Sequence, residues 1–158
     1  MLKKLGIVLM ALLLMTSLSG CSQTEEINEV KEYGIGETAI YDEVAYTVTH
    51  IEKSQGSEYD QPGEGKEYVI VSVKIENQSD ETKDYNELYF KILNEEGQVD
   101  DVAITLLDQD QNLGSGDLIA GGWKEGTLTY LVNQDEELKL YLYADIFLEE
   151  PTVIFSLT

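Results

Sequence analysis

The chain has no arginine, and its ten lysines stand against 31 acidic residues, for a formal charge of −21. Proteins that hold nucleic acid do so with clustered lysine and arginine, and past Lys3 and Lys4 the lysines here occur singly. Nucleic acid is therefore excluded as a partner, and anionic lipid should repel the folded part. Charge of this kind bears on solubility and steering. It reads as a surface for cations or basic partners or, more simply, as a well-solvated extracellular face.

Histidine and cysteine occur once each. That pair cannot supply the usual tetrahedral zinc set, and a second cysteine for a disulfide does not exist, so stability outside a cell must come from the core. Nucleophilic catalysis needs a hydroxyl or thiol beside a base, and His50 is the sole imidazole. It closes an alternating run from Val44 to Ile51, in phase with Tyr46 and Val48, where histidine more often packs than ligates. Also missing is any run of about 20 apolar residues, the length a membrane span requires. Leu5 to Met15 is too short.

What the sequence does contain begins with that short run. Lys3 and Lys4, the apolar core, and the small residues from Thr16 to Gly20 form the three-part layout of a secretory signal. The quartet Leu18-Ser19-Gly20-Cys21 resembles the lipobox of bacterial lipoproteins. By that resemblance residues 1–20 are a signal peptide, Cys21 receives a diacylglyceryl group, and cleavage falls before it. Residues 21–33, including the acidic "SQTEEINEVKE", read as lipidated Cys and flexible tether, with an end-to-end distance on the order of 20 Å. Two or more acyl chains suffice for stable attachment, so the expected location is a cell membrane, lipid-anchored, with residues 34–158 as one domain facing the extracytoplasmic side.

Within that domain the apolar period is two. In "EYVIVSVKIEN" Val69, Val71, Val73 and Ile75 share one face, and Tyr68, Ile70, Ser72 and Lys74 the other. Leu128, Tyr130 and Val132 alternate with Thr127, Thr129 and Leu131, and Leu138, Leu140 and Leu142 alternate with Lys139, Tyr141 and Tyr143. Such alternation marks strands with one face on a core. Further strands are expected over Thr38 to Tyr41, Val44 to Ile51, Leu88 to Leu93, Val99 to Ile104 and Val153 to Leu157, with turns at "QPGEG", "NEEG" and "NQDE". Seven to eight short strands without a long helix predict an all-β, antiparallel β-sandwich. The ten tyrosines suit half-buried pleated surfaces.

The succession "GIGETAIYDEVAYTVTHIE", "GKEYVIVSVKIENQSDET", "FKILNEEG" and "GGWKEGTLTYLV" resembles a family of bacterial lipoprotein and secreted domains of unknown function. That family has an immunoglobulin-like fold and is related to a mycobacterial immunoprotective extracellular antigen. The resemblance spans residues 34–158 and rests on strand and turn motifs, with Ala120 standing where the family often has proline before the paired glycines. It implies an immunoglobulin-like domain at the cell surface, with no established activity and no catalytic residues to carry over.

Candidate sites are few. Trp123, with Tyr141 and Tyr143 taken as outward, could form an aromatic platform, although half-buried strand neighbours are the simpler reading. Paired carboxylates able to hydrolyse sugars arise by chance in so acidic a chain. The long connection from Leu106 to Gly122 is a natural place for binding. Its Asp108, Asp110 and Asn112 take the first, third and fifth places of an EF-hand-like loop, with Asp117, Asp100 and Asp101 near in sequence. The pattern then breaks, because Leu113 occupies the glycine place and Ile119 the closing glutamate place. Calcium is thus a possible ligand at Asp108, Asp110, Asn112 and Asp117 and otherwise no cofactor is expected. The expected function is a non-enzymatic module binding an unknown protein or envelope ligand. The alternatives are a carboxylate-dependent surface hydrolase and a structural or antigenic surface protein with no specific ligand.

Overall fold

The computed structural model describes residues 30–158. The expected signal peptide, the expected lipidation site Cys21 and the expected tether up to residue 29 lie outside the described residues. Among the described residues eleven strands follow one another: β1 (Glu32–Tyr33), β2 (Thr38–Tyr41), β3 (Val44–Ser54), β4 (Lys66–Asn77), β5 (Lys83–Asn86), β6 (Phe90–Leu93), β7 (Val99–Asp100), β8 (Ser115–Leu118), β9 (Trp123–Asn133), β10 (Lys139–Leu142) and β11 (Val153–Ser156). A single 3₁₀ turn, Glu87–Tyr89, precedes β6, and no helix among the described residues is long and apolar enough to cross a membrane.

Two sheets face each other. One has the order β1-β11-β10-β6-β7 and the other β2-β3-β4-β9, while β5 and β8 form a separate ribbon. With β3-β4-β9 opposite β6-β10-β11, the sandwich has the immunoglobulin-like pairing of first, second and fifth strands against third, sixth and seventh. The alternating residues drive it. Val69, Val71, Val73 and Ile75 of β4 and Leu128, Tyr130 and Val132 of β9 are all buried, and they meet Phe90, Ile92, Leu140, Leu142 and Phe155 of the other sheet in one cluster. The edge-on contact of Tyr46 with Phe90, centroids 6.3 Å apart, joins β3 to β6 across the interface.

Three sequence expectations need correction. The strand count exceeds seven to eight because β1 and the β5–β8 ribbon are too short or too polar to show alternation. Glu32 and Tyr33 pair in parallel with Ile154 and Phe155, so the last two residues of the expected tether belong to the fold. The expected strand from Val99 to Ile104 stops at Asp100. There the chain leaves β6 and crosses to the other sheet, where the Ala103 N–H donates to the Thr129 carbonyl of β9.

That crossing changes the long connection as well. Leu113 N–H donates to the Thr127 carbonyl and Thr127 N–H to the Gln111 carbonyl, so the segment lies along the open edge of β9 and shields it. Leu113 is 1% exposed, seated against Gly126, where a Cβ would come within 2.5 Å of the Leu113 Cα. Glycine there leaves room for the clamp. The residue that broke the calcium pattern is a core residue.

The face of β4 opposite the core is not uniformly solvated. Tyr68 and Ile70 are buried along with Val71, whereas Lys74 further along pairs with Glu76 at 2.8 Å. Val71→Asp is expected to abolish cooperative folding, since it buries an unpaired charge at a cost of several kcal/mol. Lys74→Asp should cost less than about 1 kcal/mol. Thermal melting of the two variants checks this, and equal losses would show that the strand's faces are misassigned.

Candidate functional site

The expected site residues separate once they are placed. A β-bulge at Thr49 shifts the register of β3 between Val48, opposite Val73, and His50, opposite Ser72. His50 is therefore out of phase with Tyr46 and Val48 and points away from the core, because the bulge inserts one residue and reverses the faces beyond it. It lines a shallow groove of about 420 Å³ together with Thr49, Ser72, Asp110, Glu125 and Thr127. The Thr49 hydroxyl donates to the Ser72 carbonyl at 3.3 Å, so it is not engaged with the imidazole as an activated nucleophile would be.

The four calcium candidates do not converge. Asp108 closes a tight turn with φ 51°, its carbonyl accepting from Gln111 N–H. Asn112 Oδ1 accepts from Gly114 N–H at 2.6 Å. Asp117 lies on β8 opposite Asp84 of β5, and Asp101 is paired with Lys91 at 2.9 Å. Among the described residues no group of three or more histidine, cysteine or acidic side chains is placed to hold a metal ion. The aromatic platform also dissolves. Trp123 sits on the outward face of β9, close to Lys74, while Tyr141 is on the other sheet and Tyr143 is buried.

Asp60, which sequence reasoning passed over, is the hub of the covering loops. It accepts from Tyr68 Oη at 2.7 Å, Thr105 Oγ1 at 2.5 Å and Leu106 N–H at 2.6 Å. One carboxylate thereby joins the loop after β3, the outward face of β4 and the segment that shields β9. The hydrogen bonds from Thr105, Tyr68 and Leu106 hold its pKa below the usual aspartate value.

One end of the sandwich carries a different arrangement. The β2–β3 hairpin presents Tyr41 and Asp42, β3 presents Val44 and Tyr46, the ribbon presents Lys83 and Asp84, and Tyr89 and Ala144 complete a cavity of about 180 Å³. Asp84 accepts from Tyr89 Oη at 2.6 Å, and Lys83 Nζ bonds Asp42 at 2.7 Å. Burial, then the carboxylates of Asp84 and Asp42, push the Tyr46 phenol up to about 12. The Asp84 hydrogen bond, then burial, takes Tyr89 to about 12 as well. Both phenols are neutral at physiological pH, and the charge of the cavity belongs to the aspartates and Lys83.

The chain enters the fold at this same end. Because β1 runs parallel to β11, starting with Glu32 opposite Ile154, residue 30 lies beside the loop that links β10 to β11. That loop holds Ile146, Phe147 and Leu148 in the open, Phe147 at 85% exposure. Buried Asn77 braces the neighbouring turns. Its Nδ2 donates to the carbonyls of Glu81 at 2.7 Å and Leu118 at 2.8 Å, and its Oδ1 accepts from the Ser79 amide and hydroxyl.

Two outcomes are expected. The stability that Asp60 contributes is present above about pH 4, the unfolded aspartate value, and is lost as pH falls through its lowered folded value. Wild type should therefore melt above Asp60→Asn at pH 7, with the gap closing toward pH 2; a gap that ignores pH would contradict the charge-based account. Calorimetric titration of the chelated protein with calcium should give no saturable uptake at micromolar concentrations, and a stoichiometric site abolished by Asp108→Asn with Asp110→Asn would overturn that expectation.

Comparison with known proteins agrees with the architecture. The yjhA protein of Bacillus subtilis superposes with a TM-score of 0.61 at 19% identity, over 80% of this chain and 99% of that one. A candidate lipoprotein of the same species, ycdA, gives 0.62 at 16% identity over 76% of this chain, which spans 38% of its length. A candidate lipoprotein of Staphylococcus aureus gives 0.54 at 16% identity over 80% of this chain and 88% of that one. Identities this low show the fold alone, and none of these three structures bears on the relation to a mycobacterial antigen. No curated protein matches the chain in sequence. The model of a domain of unknown function, DUF4352, matches residues 33–152, and the chain belongs to that family.

Proposed function

We propose that this protein is a lipid-anchored, extracytoplasmic binding module without catalytic activity, held to the membrane through Cys21. The observation that carries the reading is the run Leu18-Ser19-Gly20-Cys21 behind a basic, apolar leader, a layout that exposes one cysteine to acylation and no other. The position of residue 30 supports it. A short tether leading back to the membrane leaves the fold beside Ile146, Phe147 and Leu148, apolar side chains suited to a lipid boundary. The candidate lipoproteins that share the fold agree with such an anchor.

The binding part of the proposal rests on the cavity at that end and on the rigid sandwich beneath it. A carboxylate hydrolase would need a general acid with a raised pKa opposite an ionised partner. Asp60 shifts in the other direction, and Asp84 and Asp42 are each engaged by a phenol or an ammonium group.

Cys21→Ser should leave the melting curve unchanged and release the protein from membranes. Metabolic labelling with a fatty-acid probe should mark only the wild type. A variant that stays membrane-bound, or a wild type that takes no label, would remove the anchor from the account.

A further inference from the structure

We infer that the cavity lined by Tyr41, Tyr46, Tyr89, Asp42 and Asp84, with Lys83 bonded to Asp42 at its side, binds a small organic ammonium group. This deepens the binding-module reading by naming the ligand chemistry. Phenol rings together with fixed carboxylates are the combination that attracts such cations, the rings through their quadrupoles and the carboxylates through charge. Size narrows the choice. At about 180 Å³ the cavity is smaller than the roughly 300–1,000 Å³ of pockets for drug-sized ligands, so it admits one head group and not a sugar chain or a peptide.

Charge narrows it further. Lys83 bonds Asp42 and leaves Asp84 held only by the neutral Tyr89 hydroxyl, so the lining is net negative and repels phosphate. The cation–π pairs among the described residues are Lys31 with Tyr33 and Lys74 with Trp123; no lysine occupies the rings of this cavity. Tyr46 is fixed from below by Phe90, so part of the site is preorganised. Burial, and after it the nearby carboxylates of Asp84 and Asp42, raise the Tyr46 phenol. An ammonium group could arrive as a free amine or as the head group of a neighbouring lipid, since the cavity lies at the end where the chain enters the fold.

The test uses the full-length protein in a neutral maltoside detergent. Choline is titrated against its uncharged isostere 3,3-dimethylbutan-1-ol, with calorimetry and the tyrosine ring resonances as readouts. Choline should bind saturably and move the Tyr46 and Tyr89 signals, while the isostere should not. Tyr41→Ala and Asp84→Asn, both at exposed positions, should each weaken choline by about tenfold. Equal binding of the two compounds, no binding, or unchanged affinity in both variants overturns the proposal. Vesicles of phosphatidylcholine compared with phosphatidylglycerol then separate the sources: competition by the first alone assigns the site to a lipid head group, and no competition assigns it to a soluble amine. Because anchoring is read by fatty-acid labelling, failure of either test leaves the other interpretable.

Discussion

Two residues of parallel pairing decide at which end of the sandwich the chain enters the fold. Glu32 and Tyr33 lie against Ile154 and Phe155, fixed by the Tyr33–Phe155 ring contact at 5.9 Å and by the Lys139–Glu32 pair at 2.7 Å. The ion pair is exposed and contributes little by itself, so the aromatic contact and the backbone ladder hold the strand. Had β1 run antiparallel, the preceding chain would leave from the opposite end of the sandwich. As built, it leaves beside the exposed Phe147 loop and the tyrosine-lined cavity. An anchor on Cys21 would then bring those two features to the membrane and turn the hairpin at 94–97 outward.

The remaining architecture shields the weak edges of the sheets and braces the loops at both ends. Leu113 over Gly126 lays the long connection along β9, and Asp60 gathers the two covering loops onto β4. Asn77 does the same for the turns next to the cavity, with both its amide nitrogen and its oxygen satisfied. A buried amide with all its bonds made specifies one arrangement of turns, whereas a half-satisfied one would be costly. These polar hubs occupy loops, where no apolar alternation exists to set the conformation.

Legibility in the sequence followed the source of each element's stability. β4 and β9 carry long alternating apolar runs, so their position and core faces could be read directly, and the sandwich followed from them. The β5–β8 ribbon could not be read in the same way. "KDYN" and "SGDL" have no alternation, and they pair only because the folded sandwich brings Lys83 opposite Leu118. His50 was put on the wrong face because a bulge at Thr49 leaves no mark in composition. The cavity draws on the β2–β3 hairpin, the ribbon, the turn before β6 and the end of β10, a convergence that exists only in three dimensions. Its one local trace is the density of tyrosine and aspartate in "IYDEVAY" and "KDYNELYF". Asp60 likewise resembled any other acidic loop residue until Thr105 was brought to it.

The central claim is the orientation of the domain on the membrane, and depth-dependent quenching measures it most directly. In the proposed acylated protein, where lipid would occupy Cys21, a single introduced cysteine accepts a fluorophore uniquely. Leu148→Cys marks the chain-entry end and Glu96→Cys the far hairpin, and head-group nitroxide lipids report the proximity of each. The account predicts strong quenching at position 148 and weak quenching at position 96 in the acylated protein; equal quenching, or the reverse order, would contradict it.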